Sequence, residues 1–456
     1  MKKRNVGVLL PVFSLPGNHG IGDFSEYAYQ FIDWLKSKGY RYWQILPLNP
    51  IGPGNSPYIT VCSEAIDIRY ISLDDLVKQG LLNKAPKYQA SSTQVRYGDV
   101  LNYKEKYLRC AFKNDHVSLN KFKKENPWCE EYAKYLVLKN INDNKTWNEW
   151  AIKKIPAFAE DEINFHIWCQ YIALKQWNNI KKYANKKGIK IIADCPFYVG
   201  LDSVDCYLNK DEFLMDEHYN PTVVSGCPPD AFSDDGQLWG TPVYNFEKMK
   251  ENHYKFLINR IACLTSRADI LRLDHFRAFD TYCVIPAGDE TARRGEWKVG
   301  PRNDFFDNLY NQYPNIQIIA EDLGLLFDSV HELRDYYHLP GMRVIQFCIF
   351  EDLKENNNIT LYPGTHDNET LYGWMKSLNK EQISILRKAF NHPKDLYGAI
   401  FNYVWDMTSL LTIFPLQDLL RLDNKARINH PGTVGDHNWT FKFKDMSWVN
   451  NIKYGF

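Results

Sequence analysis

Asp269–Ile270–Leu271–Arg272–Leu273–Asp274–His275–Phe276–Arg277 begins with a short apolar run, Ile270, Leu271 and Leu273, that reads as a buried strand. The same run delivers Arg272, Asp274, His275 and Arg277, four ionisable groups within six residues. A buried strand tolerates such groups when they pair with one another or open into a cavity. In α/β folds that cavity lies at the carboxyl end of a parallel strand, where the chain leaves the core. Alone, the stretch is equally readable as an ion pair capping a strand. Its meaning rests on what the rest of the chain repeats.

Working outward, comparable apolar runs recur at Val6–Pro11, Tyr42–Leu48, Ile189–Asp194, Ile316–Gly324, Met342–Phe347, Thr360–Asn368 and Leu410–Pro415. Helical patterns lie between them. Asp23 or Ser25 is placed to cap a helix carrying Tyr27, Phe31, Trp34 and Leu35 at helical spacing. A second helix covers about 162–187, with Phe165, Trp168, Tyr171 and Trp177, and a third about 244–266. About eight strand-like runs separated by helices argue for an α/β chain closed into a (β/α)8, or TIM, barrel. A doubly wound open sheet is the alternative. The whole of 1–456 is then one catalytic barrel domain with insertions around its C-terminal mouth. Residues 59–155, polar and lysine-rich with helical segments at Tyr103–Asn114, Ser118–Lys124 and Glu130–Asn140, read as an inserted, mostly helical subdomain. Residues 200–245 read as an inserted active-site loop region. Within it, Ser225–Pro242 has no clear periodicity, and structureless loops of that length are usually functional.

Composition removes several classes of function. Lysine plus arginine equals aspartate plus glutamate at 55 each, so no basic field is available for nucleic acid or an anionic membrane. No stretch approaches the roughly 20 apolar residues of a membrane helix. The run after Met1–Lys2–Lys3–Arg4 is too short for a signal-peptide core. The ten cysteines are scattered, without a C-x-x-C pair or zinc-like spacing. A cytoplasmic protein with reduced thiols is expected, in which Asn144–Lys145–Thr146 and Asn438–Trp439–Thr440 are incidental sequons. Aromatic residues make up 15% of the chain, and flat rings suit sugar faces as well as cores.

Four of the strand runs end in a carboxylate: Asp194, Asp274, Glu321 and Asp367. In a barrel these ends meet at one mouth. Crowded acids raise one another's pKa, so one stays protonated while another stays ionised, as glycosidic bond chemistry requires. Metal binding is the rival use. Against it, His and Asp do not recur at ligand spacing, and bulky residues follow each acid.

Arg272–Leu273–Asp274–His275–Phe276–Arg277, Ala320–Glu321–Asp322–Leu323–Gly324 and Gly364–Thr365–His366–Asp367–Asn368 resemble the three catalytic segments of the 4-α-glucanotransferases (amylomaltases, or disproportionating enzymes), glycoside hydrolase family 77 of the α-amylase superfamily. The resemblance extends to the Leu15–Asp23 loop, Trp43–Leu48, Ser56–Pro57–Tyr58, Gly226–Asp230, Gly236–Gly240, Pro431–Gly432–Thr433 and Asn438–Trp439. It implies a barrel enzyme that transfers α-1,4-glucan segments between maltooligosaccharides by retaining double displacement, without a cofactor or metal. It further implies Asp274 as nucleophile, Glu321 as general acid/base and Asp367 as transition-state stabiliser. By the same resemblance Arg272 keeps the nucleophile ionised, by bidentate contact. Tyr58, Asp194, Trp239, His366 and Asn438 align with sugar-binding positions, and Phe232 is a candidate sugar platform. Two departures stand out: Pro53 where relatives often have tyrosine, and Ala231 where an aromatic commonly precedes Phe232. A hydrolase of the same superfamily and an inactive glucan-binding protein are the alternatives. Because no ligand-like spacing is present, exhaustive chelation should leave turnover unchanged. Loss of activity that added metal restores contradicts this expectation.

Overall fold

The computed structural model describes residues 5–229, 234–324, 326–351 and 357–452. Eight short strands form one sheet: β1 (Val6–Leu9), β2 (Tyr42–Gln44), β3 (Lys190–Cys195), β4 (Ile270–Leu273), β5 (Ile318–Ala320), β6 (Gly341–Val344), β7 (Ile359–Tyr362) and β8 (Leu411–Pro415). All pair in parallel, in the order β6-β7-β8-β1-β2-β3-β4-β5. The two ends meet where the Ala320 amide donates to the Pro340 carbonyl at 2.9 Å and the Met342 amide to Asp322 Oδ1 at 2.6 Å. This is the (β/α)8 barrel, each strand standing on one of the eight apolar runs.

Alternation along the strands sorts side chains into two layers. Leu9, Ile192, Ile319, Met342, Val344, Tyr362, Leu411 and Ile413 pack together inside the barrel. The Tyr362 hydroxyl is satisfied there by Gln44 Oε1 at 2.8 Å. Val8, Trp43, Ile191, Leu271 and Leu361 join the larger core beneath the helices. The helix Glu26–Ser37 turns Phe31, Trp34 and Leu35 inward, and Glu160–Lys186 does the same with Phe165, Trp168 and Trp177.

Three local expectations are corrected. Ser225–Pro242 is not a structureless loop: Val223–Cys227 and Gln237–Pro242 form an antiparallel hairpin, extended by Thr281–Pro286 and Glu296–Val299 into a four-stranded sheet. Glycines at 226, 236 and 240 hid the period-two signal, and Gly236 is needed for its left-handed backbone at φ 68°. The single helix expected over 244–266 is two, Phe246–Glu251 and Lys255–Arg267. His253 and Tyr254 adopt φ 58° and 56° between them, while buried Tyr254 reaches Asp304 at 2.8 Å. Finally, Ser25 stands at the helix N-cap without a side-chain bond, and Asp23 is engaged elsewhere.

Asp23 faces the segment between β2 and β3, which carries the helices Leu73–Lys78, Tyr97–Asn114, Asn120–Glu125 and Trp128–Ile141. Lys104, in the middle of Tyr97–Asn114, is fully buried. Its ammonium donates to Asp23 Oδ2 at 2.6 Å and to the carbonyls of Arg69 and Ile71 at 2.7 and 2.8 Å. Three acceptors satisfy all three N–H groups, which is what a buried lysine requires. Lys104→Met removes the ion-pair partner of buried Asp23, so chemical unfolding should show a loss of about 3–5 kcal/mol. Adding Asp23→Leu should recover part of that loss. A single-variant loss below about 1 kcal/mol contradicts the assignment.

Candidate active site

The parallel register of β3 and β4 sets Asp194 directly beside Arg272. Asp274, two residues on, shares the face of Arg272. The result is one guanidinium nitrogen serving two acids: Arg272 Nη1 lies 2.7 and 2.8 Å from the two Asp194 oxygens and 2.9 Å from Asp274 Oδ1. Arg272 Nε approaches Met342 Sδ at 3.4 Å. Arg272 therefore holds the carboxylates through a single Nη1 and not through the two-nitrogen fork expected of it. Arg272 and Asp194 are both sealed from solvent, while the Asp274 side chain is 27% exposed.

A second chain of contacts starts on the far side of Asp194. The Tyr58 hydroxyl sits 2.8 Å from Asp194 Oδ2 and 2.8 Å from His366 Nε2, and the Tyr58 and His366 rings stack at 5.4 Å. His366 Nε2 is also 3.2 Å from Asp367 Oδ2. The other Asp367 oxygen accepts from Asn429 Nδ2 at 2.7 Å, and Arg427 donates to the Asp367 carbonyl at 2.8 Å. Asp367 lies beyond the end of β7, on the loop that follows it.

Glu321 follows β5 directly, and its Oε2 accepts from the His275 amide at 2.8 Å. His275 takes a left-handed backbone, φ 50°, which is uncommon outside glycine and turns that amide towards Glu321. Its ring stands edge-on to Trp239 at 4.8 Å, with Tyr198 at 6.2 Å. Nucleophile and acid candidates thus sit on adjacent strand ends, tied through one backbone amide.

The three acids have different proton affinities. Burial raises the pKa of Asp274 to about 6, with Arg272 opposing and Asp194 and Asp367 adding to the rise. Burial also carries Glu321 well above the carboxylate range, Arg272 opposing and Asp274 adding. For Asp367 burial is outweighed by His366, the Asn429 amide and Arg272, which hold it well below that range. His275 is pushed down to about 3 by burial and by Arg277, so its ring is neutral. At neutral pH the arrangement is an ionised Asp274, a protonated Glu321 and an ionised Asp367.

The structure brings Asp194, Arg272, Asp274, Glu321, Asp367, Tyr58, His366 and Trp239 around one mouth. Asn438 is buried, and its amide is used within the turn: Oδ1 accepts from the His430 amide at 2.9 Å and Nδ2 donates to the Thr433 carbonyl at 3.0 Å. Phe232 and Ala231 lie outside the described residues, as does the side chain of Pro53. Sequence reasoning assigned no role to His275, Asn429, Arg427 or Tyr198. His275 stands out in sequence only as an ionisable group beside Asp274, and nothing local marks the other three, because their parts depend on contacts across the barrel. Among the described residues, no group of three or more His, Cys, Asp or Glu side chains could hold a metal ion. A cavity of about 360 Å³ lined by Asp269, Tyr313 and Gln317 opens by the starts of β4 and β5 and includes none of these acids.

A protein-family model described as 4-alpha-glucanotransferase, glycoside hydrolase family 77, matches residues 10–447. The chain belongs to this family. The 4-alpha-glucanotransferase of Streptococcus pneumoniae is 37% identical over all of this chain and 96% of its own length. That of Clostridium butyricum is 36% identical over 97% of this chain and 96% of its own. A solved amylomaltase of Streptococcus agalactiae in complex with acarbose superposes with TM-score 0.93 at 32% identity, covering 98% of this chain and 97% of the other. In this 4-alpha-glucanotransferase Asp274 and Glu321 stand at adjacent strand ends with different proton affinities, which gives an expectation for pH dependence. Turnover should rise as pH passes about 6, where Asp274 loses its proton, and fall at higher pH where Glu321 loses its own. An acid limb near 4, the ordinary carboxylate range, contradicts the assignment.

Proposed function

We propose that Asp274, Glu321 and Asp367 transfer α-1,4-glucan segments between maltooligosaccharides by a retaining double displacement. What supports this reading is the pairing of an arginine-held Asp274 with a protonated Glu321 on the neighbouring strand end. Glu321 gives its proton to the leaving glycosidic oxygen while Asp274 attacks the anomeric carbon, forming a covalent glucosyl–enzyme. Glu321, now ionised, takes the proton of an incoming 4-hydroxyl, and that oxygen displaces Asp274 to restore an α-1,4 bond. Asp367, held ionised by His366 and Asn429, accepts hydroxyls of the reacting sugar and opposes its developing positive charge. No cofactor enters either step.

Substrate binding follows from the same mouth. Tyr58, Asp194, Arg272 and His366 line the donor sugar's seat, Trp239 faces the acceptor, Phe232 stays a candidate platform from the sequence alone, and Asn438 acts through the 430–439 turn that it holds. Residues 59–155 and 200–245 are read as the two inserts that wall this mouth. We place the enzyme in the cytoplasm, on the ground of scattered cysteines with no C-x-x-C pair. No helix among the described residues is long and apolar enough to cross a membrane.

Transfer outruns hydrolysis when a bound acceptor hydroxyl is better oriented than water, and orientation is worth an effective molarity of about 10⁵ M or more. Maltotriose should therefore yield glucose and a ladder of longer maltooligosaccharides with little gain in reducing ends. Reducing ends that rise in step with consumption, without longer products, identify a hydrolase. Asp274→Asn should lower turnover by at least about 10³-fold, roughly 4 kcal/mol of barrier. Glu321→Gln should stall natural glucans at the first step but still form the covalent glucosyl–enzyme from a glycosyl fluoride, whose leaving group needs no proton. Equal loss with both donors removes Glu321 from the acid role.

A further inference from the structure

The rings at the mouth do not end at Trp239. Trp239, His275 and Tyr198 form one group, with Tyr198 6.2 Å from Trp239. Arg277, three residues beyond Asp274, is buried beside that group and bears on the protonation of both Tyr198 and His275. On its other side the Arg277 guanidinium lies 3.7 Å over the ring of Trp297 and 5.4 Å from that of Phe327. Trp297 and Phe327 meet edge to face at 6.0 Å. Trp297 comes from the outer strand of the four-stranded sheet, paired with Cys283. Phe327 sits on the loop that leaves Glu321 and is 41% exposed.

We infer that Phe327 and Trp297 form a distal subsite that stacks a glucose unit of a long α-1,4-glucan acceptor, on the continuation of the Trp239–His275–Tyr198 surface. The inference rests on the transferase reading above. Two loops that carry the catalytic acids also carry its parts: Arg277 follows Asp274, and Phe327 follows Glu321. A polymeric acceptor has to leave the reacting bond along some wall, and this wall offers aromatic faces next to the acid/base. The C–H faces of glucose match a ring face, whereas the uncharged glucan backbone gives nothing for an ion pair to hold. Arg277 occupies one side of Trp297 and fixes it as a rigid support, with a cation–π contact that costs the platform no mobility. Phe327, the exposed partner, presents the open face.

The test compares acceptors of different length with maltotriose as donor. Phe327→Ala should lower kcat/KM for labelled maltoheptaose about three- to ten-fold relative to that for glucose, through KM. Phe327→Tyr should restore the ratio, because a second aromatic face replaces the first. Trp297→Phe provides an independent variant that keeps a ring against Arg277, and it should shift the ratio in the same direction by a smaller factor. Thermal unfolding of Phe327→Ala should stay close to that of the parent, since the ring is 41% exposed and belongs to none of the apolar core clusters. An unchanged maltoheptaose-to-glucose ratio, or an equal fall with both acceptors, overturns the inference. Failure of the parent reading shows separately, as absence of any transfer by the unaltered enzyme.

Discussion

One guanidinium organises the mouth of this barrel. Arg272 is buried between Asp194 and Asp274, a single positive charge against two carboxylates. Removing such groups from water is costly, and a buried pair of this kind is weak as a source of stability. Its effect lies in the electrostatics of the cavity. Without that charge, burial and two neighbouring acids would carry Asp274 further up. With it, Asp274 stays ionised at neutral pH, while burial and the neighbouring Asp274 charge keep the proton on Glu321. Two carboxyls of the same chemistry differ in protonation at neutral pH because their surroundings differ.

The third acid is handled by a different device. Asp367 lies on a loop, and hydrogen bonds from His366 and Asn429 do for it what Arg272 does for Asp274. Tyr58 bridges the two systems, its hydroxyl shared between Asp194 and His366. A change at any of these positions is therefore expected to be felt across the whole mouth, since networked polar groups do not act additively.

The insert between β2 and β3 supports this network from behind. The Tyr97 hydroxyl donates to the Trp439 carbonyl at 2.7 Å, and the Trp439 amide donates to the Ile428 carbonyl at 2.7 Å. The neighbouring Asn429 then holds Asp367. Buried Lys104 ties the same insert to Asp23 in the loop after β1. A segment whose sequence looks like polar surface helix is in fact pinned to the barrel through Tyr97 and Lys104.

The eight apolar runs, their order and the acids at their ends were legible in the sequence, because a parallel strand buried on both faces needs an apolar run and a polar residue at its exit is costly without a cavity. Asp194, Asp274, Glu321 and Asp367 stand out on that ground, and the choice of three of them as catalytic is what the family resemblance implies. The hairpin over 223–242 was not legible, since three glycines erase the alternation that marks a strand. Nor was the break at His253 and Tyr254, because nothing in residue type announces a left-handed pair. Only the tertiary structure decided which neighbour each acid keeps. The single-nitrogen contact of Arg272, the His275 amide on Glu321 and the Asn429 amide on Asp367 join residues between 2 and 62 positions apart. Residue type sets which charges a chain carries; the distances that fix their protonation exist only once the strands are in register.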